Sequence, residues 1–494
     1  MHVRKDLFVG GRWVPPASGA SLDVVSPATE EVVGRVPDTT VADLDAAVGA
    51  ARAALAGPWS AMSFDERAAV VERAAEHLAA RADEIAEAIT LEQGTPVRMA
   101  RFGLAPAAAR MMASAVDCAR QIPLRTVRRD GTGAVLVQED PVGVVAAMVP
   151  FNGPLPIAVL KAAPALLAGC PVVLKPSPYA PMAVFFLADA LAEAGLPAGM
   201  LSVITGGAEV GETMVAHAGV DMVSFTGSTA VGRRIAATAG DGLKKVSLEL
   251  GGKSAGIVLD DADLGRAAAT IGGVFATAGQ YCRALTRVLA PRSRYDEVVG
   301  ALAAVAARMT PGDPNDEATT MAPLISAAQR DRVEGYVRSA RDEGARLVCG
   351  GGRPAGLDRG FWFEPTIFTD ATNGMRFVRE EIFGPVLAIL PYDGDDEAVA
   401  IANDNDYGLS GAVFTADLQR GLDVALRVET GTIGVNQHGA RSCAPCGGVK
   451  ASGIGQEHGP EGFREFLSPK AVMIPEALAA QLEAGGVPTV PPIR

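Results

Sequence analysis

Near the N-terminus, the stretches 43–56, 64–90 and 98–120 repeat apolar residues at helical spacing, with polar residues gathered on the opposite side. They predict three alanine-rich amphipathic helices. The stretch 128–139 then alternates in polarity around Gly131-Thr132-Gly133, which predicts a β-hairpin. Beyond it the rhythm changes. Short runs rich in β-branched residues at 142–148, 172–174, 201–204, 222–225 and 245–248 are separated by helical runs at 157–167, 183–194, 210–216 and 230–239. Strand and helix alternating in this way predict an α/β fold with a mostly parallel, doubly wound sheet. Its ligand crevice would lie at the carboxyl ends of the strands. A second alternating region runs from Ser254 to about Asn436, and the tail from 479 to 494 is rich in Ala, Gly and Pro, with its end predicted to be loosely held.

The stretch 142–174 is apolar enough to suggest a membrane span. However, Lys161 sits inside it and Pro150, Pro154, Pro156, Pro164 and Pro171 interrupt it. A spanning helix needs roughly 20 unbroken apolar residues, so buried strands flanking a helix fit better. A chain of 494 residues with 49% hydrophobic content suits two or three domains. The net charge of −13, without a long Lys/Arg run, argues against nucleic acid and anionic membrane surfaces as partners. Six scattered cysteines do not form a disulfide framework, and no secretory signal follows Met1, so a cytoplasmic protein with reduced thiols is expected.

Several residues are candidates for chemistry. Glu249 lies in Leu248-Glu249-Leu250-Gly251-Gly252-Lys253, and Cys282 follows in Gly279-Gln280-Tyr281-Cys282, about one helix further on. A carboxylate in a glycine-rich turn and a cysteine suggest a general base and a nucleophile. Each alone also reads as a capping carboxylate or an inert buried thiol. Phe225-Thr226-Gly227-Ser228 runs from a strand into a helix, where backbone N–H groups and the helix dipole suit a pyrophosphate. Lys175-Pro176-Ser177 also follows a strand, and its lysine could meet a ribose hydroxyl or simply be solvated. Asn152 in Pro150-Phe151-Asn152-Gly153 could mark a turn or donate to an oxyanion. Cys443-Ala444-Pro445-Cys446 is one CxxC pair with no second pair or clustered histidines, so a loop is favoured over a metal site.

Taken in order, these segments resemble the aldehyde dehydrogenase superfamily, from the Asn152 motif through Ser228, Glu249 and Cys282 to Glu381-Ile382-Phe383-Gly384-Pro385. The Glu249–Cys282 separation is close to the family's spacing. The late run Pro445-Cys446-Gly447-Gly448-Val449-Lys450-Ala451-Ser452-Gly453 fits as well, with Cys446 where phenylalanine is usual. The resemblance covers nearly the whole chain. It implies a Rossmann-type cofactor domain (1–119 and 141–251), an α/β catalytic domain (252–453) and a small β oligomerisation element with the C-terminal tail (120–140 and 454–494). A homodimer or homotetramer would follow.

The resemblance also implies roles. Cys282 would be the nucleophile, Glu249 the deacylating base, and Asn152 part of an oxyanion hole. Lys161 and Glu457 would relay protons, although a structural ion pair explains them nearly as well. NAD would be held by Lys175, Ser177, Gly207, Phe225, Gly227, Ser228, Leu250, Gly251, Gln329, Arg332, Glu381 and Phe383. Many members carry a glutamate three residues after the lysine; here Pro178 stands there, which leaves NADP or dual use open. In the substrate pocket, Phe151, Gly153, Leu160 and Cys446 are smaller than the residues common at those positions, and Tyr281 and Arg283 flank the nucleophile. That implies a wide apolar tunnel for a bulky aldehyde.

Three alternatives remain at this level. A coenzyme A-acylating semialdehyde dehydrogenase usually lacks the glutamate at 249. A non-catalytic binding protein on this fold would have lost its nucleophile or base. A cofactor-free thiol hydrolase would not need Lys175 or the Gly227-Ser228 turn.

Overall fold

The computed structural model of the protein describes residues 2–490. Two large sheets organise it. The first has eight strands in the spatial order Gly453–Ile454, Lys245–Glu249, Met222–Thr226, Val145–Met148, Val172–Lys175, Leu201–Val203, Leu7–Val9, Arg12–Val14. The five central strands are parallel. They wind outward in both directions from Val145–Met148, so the switch point lies between that strand and Met222–Thr226. Val145–Met148 and Val172–Lys175 are buried along their whole length. Helices on both faces explain their unbroken apolar sequences.

The second sheet has seven strands in the order Arg346–Cys349, Thr366–Thr369, Val386–Tyr392, Arg287–Pro291, Ala255–Val258, Ser410–Phe414, Thr432–Val435. All but the first run parallel. The chain passes from Glu249, the last residue of a first-sheet strand, to Ala255, the first residue of a second-sheet strand. This short link sets the carboxyl edge of one sheet against the amino edge of the other.

Helix Pro154–Ala168 carries Pro164 in its interior. An interior proline costs about 3 kcal/mol. Burial of Leu155, Leu166 and Leu167, each worth about 1.5–3 kcal/mol, outweighs it. No helix among the described residues is long and apolar enough to cross a membrane.

The predicted elements meet the structure with specific differences. The stretch 64–90 is two helices, Phe64–Ala80 and Ala82–Gln93, because Arg81 leaves helical geometry and pairs with Glu84 and Asp189. The stretch 98–120 contains a wide π turn at Ala100–Leu104 before the helix Ala105–Ala119. Pro106 has no N–H to return to the Phe102 carbonyl, and the wider turn accommodates that loss. The hairpin is formed by Arg125–Asp130 and Gly133–Pro141 and is extended by Leu467–Ile474 into a three-stranded sheet. The first part of the tail packs on this sheet through helix Glu476–Ala484. Ala479 is buried there, and Val127 donates to the Pro488 carbonyl and accepts from the Val490 N–H. The last residues of that stretch, 491–494, lie outside the described residues. Gly453–Ile454 joins the edge of the first sheet, and helix Gly459–Arg464 packs against the helices beneath it. The stretch 454–466, grouped with the tail in the sequence reading, therefore sits with the first sheet.

Candidate active site

Four first-sheet strands end in candidate residues. Asn152 lies just beyond Val145–Met148, Lys175 ends Val172–Lys175, Ser228 follows Met222–Thr226, and Glu249 ends Lys245–Glu249. Thr226 pairs with Glu249 and Met148 with Lys175 in the ladder, so these ends lie level. Cys282 and Glu381 come from the second sheet, each a few residues before a strand begins.

Two glycines permit the closure. Gly279 has φ +70°, and a Cβ there would stand 1.8 Å from the Gly384 carbonyl oxygen. The turn leading to Cys282 thus lies directly on the loop leading from Phe383. At Gly252 a Cβ would stand 2.7 Å from the Cys282 carbonyl oxygen, so the Glu249 loop approaches the cysteine backbone without an intervening side chain.

Burial pushes the Cys282 thiol up to about 11, opposed by the Arg283 guanidinium next to it. Burial also holds the Glu249 carboxyl well above its ordinary range, and the nearby Glu457 charge adds to this while Lys161 opposes it. Among the described residues, Oε1 of Glu249 is buried without a hydrogen-bond partner. Lys161 bridges Glu457 Oε1 at 2.7 Å and Ser224 Oγ at 3.1 Å. Asn152 Nδ2 donates to the Gln280 carbonyl at 3.0 Å, which leaves the second N–H of its amide free for another acceptor.

A cavity of about 530 Å³ opens beside Cys282, and Met99, Leu104, Phe151, Ile157, Tyr281 and Ile325 form much of its wall. Gly153 and Arg283 also line it. Leu160 does not. It lies one turn deeper in its helix and faces a water-sized crevice with Cys118, Ser224 and Glu457. Cys446 is buried behind the wall, bridged through its backbone to Glu457, and its sulfur lies 3.3 Å from Arg283 Nη1.

Among the residues read as cofactor contacts, Ser228 Oγ caps helix Thr229–Asp241 by accepting from Val231. The Gly227 N–H donates to the Glu249 carbonyl, and Phe225 packs its ring over Gly227. Leu250 packs on Gly232, and Gly251 lies against the Glu381 carboxylate. The Ser177 hydroxyl accepts from Tyr179, and Gly207 precedes helix Ala208–Ala216. Glu381 Oε1 accepts from Gly252 at 3.1 Å, and burial pushes its carboxyl up to about 7. Phe383 holds a left-handed φ of 59° and meets the Phe151 ring edge-on at 5.9 Å.

Gln329 and Arg332 both reach the backbone of the Glu381 loop. Gln329 Nε2 donates to the carbonyls of Ile382 and Phe383, and Arg332 to those of Glu381 and Ile382. Their polar groups therefore hold the backbone of the Glu381 loop.

The sequence reading missed His438. It lines the cavity edge-on to Tyr281, and burial pushes it down to about 4, so it is neutral. A single histidine before a glycine carries no spacing signal.

A dinucleotide brings two phosphates and two ribose diols. A helix N-terminus at Ser228, together with a buried Lys175 and a buried Thr226 hydroxyl that have no anionic partner and no hydrogen-bond partner, respectively, among the described residues, suits those groups.

A sequence model of the aldehyde dehydrogenase family matches residues 13–472. Geranial dehydrogenase of Castellaniella defragrans is 43% identical over 471 residues, covering 95% of this chain and 98% of that one. The 3-succinoylsemialdehyde-pyridine dehydrogenase of a Pseudomonas species is 42% identical over 477 residues, covering 96% and 99%. The crystal structure of a Mycobacterium tuberculosis aldehyde dehydrogenase complexed with NAD+ superimposes with a TM-score of 0.94 at 46% identity, covering 96% of this chain and 99% of that one. A mutant of aldehyde dehydrogenase C from Pseudomonas syringae, solved with NAD+ and octanal, gives a TM-score of 0.92 at 42% identity, covering 95% and 96%.

Proposed function

The chain belongs to the aldehyde dehydrogenase family, and from that premise we propose that it oxidises a bulky, largely apolar aldehyde to the carboxylic acid with NAD. The observation that carries this is Cys282 in the wall of a large, mostly apolar cavity, with the loop that follows Glu249 approaching its backbone at Gly252.

Cys282, as thiolate, adds to the aldehyde carbon. The free N–H of Asn152 and a backbone amide hold the resulting oxyanion. Bound NAD would supply the acceptor for the hydride. Lys175, Ser228 and Glu381 would hold it, and Phe383 would flank its nicotinamide end. Cys282 is then left with the acyl group as a thioester. Glu249 takes a proton from water, which attacks that thioester. The buried Lys161–Glu457 pair passes the proton outward from Glu249. Arg283 keeps the buried Cys282 sulfur from becoming still less acidic. The three-stranded sheet, whose last strand is largely exposed, would pair with another copy of the chain.

The test is Cys282→Ala. Aldehyde oxidation should disappear while NAD binding persists. Substantial dehydrogenase activity in that variant would overturn the assignment. Among aldehydes, a higher kcat/KM for acetaldehyde than for bulky aryl or branched enals would overturn the substrate class.

A further inference from the structure

A groove of about 440 Å³ lies beside the carboxyl end of strand Leu201–Val203 and takes no part in the steps above. One wall is Asp38, Thr39 and Thr40; the other is Gly207, Glu209 and Thr213. Backbone bonds fix the walls to each other. The Thr39 N–H donates to the Thr205 carbonyl at 3.2 Å, and the Thr205 hydroxyl donates to the Pro37 carbonyl. Strand Leu201–Val203 pairs with Val172–Lys175, and the Ile204 N–H donates to the Leu174 carbonyl at 2.9 Å. Asp38 is thereby tied to the strand end adjoining the one that carries Lys175.

Among the described residues, neither charged group is in a salt bridge. Lys175 is 8% exposed, and its one hydrogen bond is a 3.5 Å contact to the Pro176 carbonyl. Burial pushes its ammonium down to about 8, and the charge acting against that is Asp38. Ser18 reaches only the backbone carbonyl of Asp38, whose carboxylate accepts no hydrogen bond among the described residues. The Thr39 hydroxyl is buried and unpartnered.

A ribose diol answers this arrangement, because its hydroxyls accept from an ammonium and donate to a carboxylate. Nucleotide-binding folds of this class commonly meet the 2′-hydroxyl with an acidic side chain. Here Pro178 stands where the sequence would otherwise supply one. A 2′-phosphate would bring roughly 1.5 to 2 negative charges against Asp38 and Glu209.

We propose that Asp38 reads the 2′-hydroxyl of the adenosine ribose opposite Lys175, and that Asp38 and Glu209 together exclude a 2′-phosphate, so that the enzyme prefers NAD to NADP. This rests on the reading of the crevice as the NAD site.

The experiment measures dissociation constants of NAD and NADP by calorimetry, and kcat/KM for each with one aldehyde. It uses the full-length wild type, Asp38→Ala, Asp38→Glu, Glu209→Gln and Lys175→Ala. Wild type should favour NAD. Asp38→Ala should weaken NAD about tenfold, the loss of one charge-assisted hydrogen bond, and should improve NADP. Asp38→Glu should restore much of the preference. Glu209→Gln, an exposed change in a first helical turn, should improve NADP alone. An unchanged NAD:NADP ratio in Asp38→Ala, with NAD weakened by Lys175→Ala, would overturn the role of Asp38. NAD affinity unchanged in Lys175→Ala would overturn the crevice reading itself. A wild type that favours NADP would overturn the proposal outright.

Discussion

The two large sheets contribute to the site from opposite ends of their strands. In the eight-stranded sheet, Asn152, Lys175, Ser228 and Glu249 stand at or just after strand ends. In the seven-stranded sheet, Gly252, Cys282 and Glu381 stand before the strands Ala255–Val258, Arg287–Pro291 and Val386–Tyr392. The rule that open α/β sheets bind ligands at their carboxyl ends therefore accounts for half of this site. The other half exists because the direct link from Glu249 to Ala255 turns an amino edge toward that crevice. The proposed base, Lys175 and Ser228 come from one edge, and the proposed nucleophile and Glu381 from the other.

That division predicts two distinct failures. Removing the nucleophile at the amino edge, with Cys282→Ala, should abolish reaction before hydride transfer, so that rapid mixing shows no burst of NADH. Removing the base at the carboxyl edge, with Glu249→Gln, should leave the first half intact. One NADH per site should then form in a burst, after which turnover should fall by about 10²–10⁴. Intact-protein mass spectrometry should show the acyl group held on Cys282. Equal loss of the burst in both variants would erase the proposed separation of roles.

The same division explains what the sequence made legible. Strand–helix alternation announced the first sheet, and the runs that end its strands were readable because glycine, serine and lysine at strand ends have a physical purpose there. The small N-terminal strands escaped notice. Leu7–Val9 and Arg12–Val14 are too short to establish a period, and they become strands by adding to an existing edge. Glu381 and the cysteine turn were found through family resemblance. Nothing in local spacing says that Gly279 will rest on Gly384.

Gly279→Ala attacks the contact between the two second-sheet loops. The left-handed φ alone costs about 1–2 kcal/mol, and the new methyl would also displace the Gly384 carbonyl. A loss of at least about 2 kcal/mol in denaturant unfolding is expected, together with weaker NAD binding, because the Glu381 loop shifts with it. Normal stability and activity would mean that the loops are not held by this contact.

Arg283 separates the electrostatics of the amino edge from its geometry. Burial raises the Cys282 thiol to about 11, so at neutral pH the reactive thiolate is the minor form, and each unit of rising pH below 11 increases it about tenfold. The burst rate should therefore climb with pH between 6 and 9. In Arg283→Met the opposing cation is gone and the thiol rises further. The burst should slow about tenfold at pH 7.5, and its climb should extend to higher pH. At the other edge, Glu249 has a raised folded-state pKa, so acid returns its proton and stalls deacylation first. Below neutral pH, steady-state turnover should fall more steeply than the burst.

The smallest effect expected concerns the wall that neither edge supplies. Ile157 lies in the first turn of helix Pro154–Ala168 and faces the cavity, and the space left by Gly153 lies against its side chain. Ile157→Trp should fill part of the 530 Å³ without touching Cys282, Glu249 or Lys175. If width decides the substrate, kcat/KM should fall about tenfold for a branched enal or aryl aldehyde and change little for propanal. The burst and the NAD affinity should be retained. A uniform loss across all aldehydes would instead place Ile157 among the residues that position Asn152. Selection by the wall would then be inseparable from the chemistry at the edges.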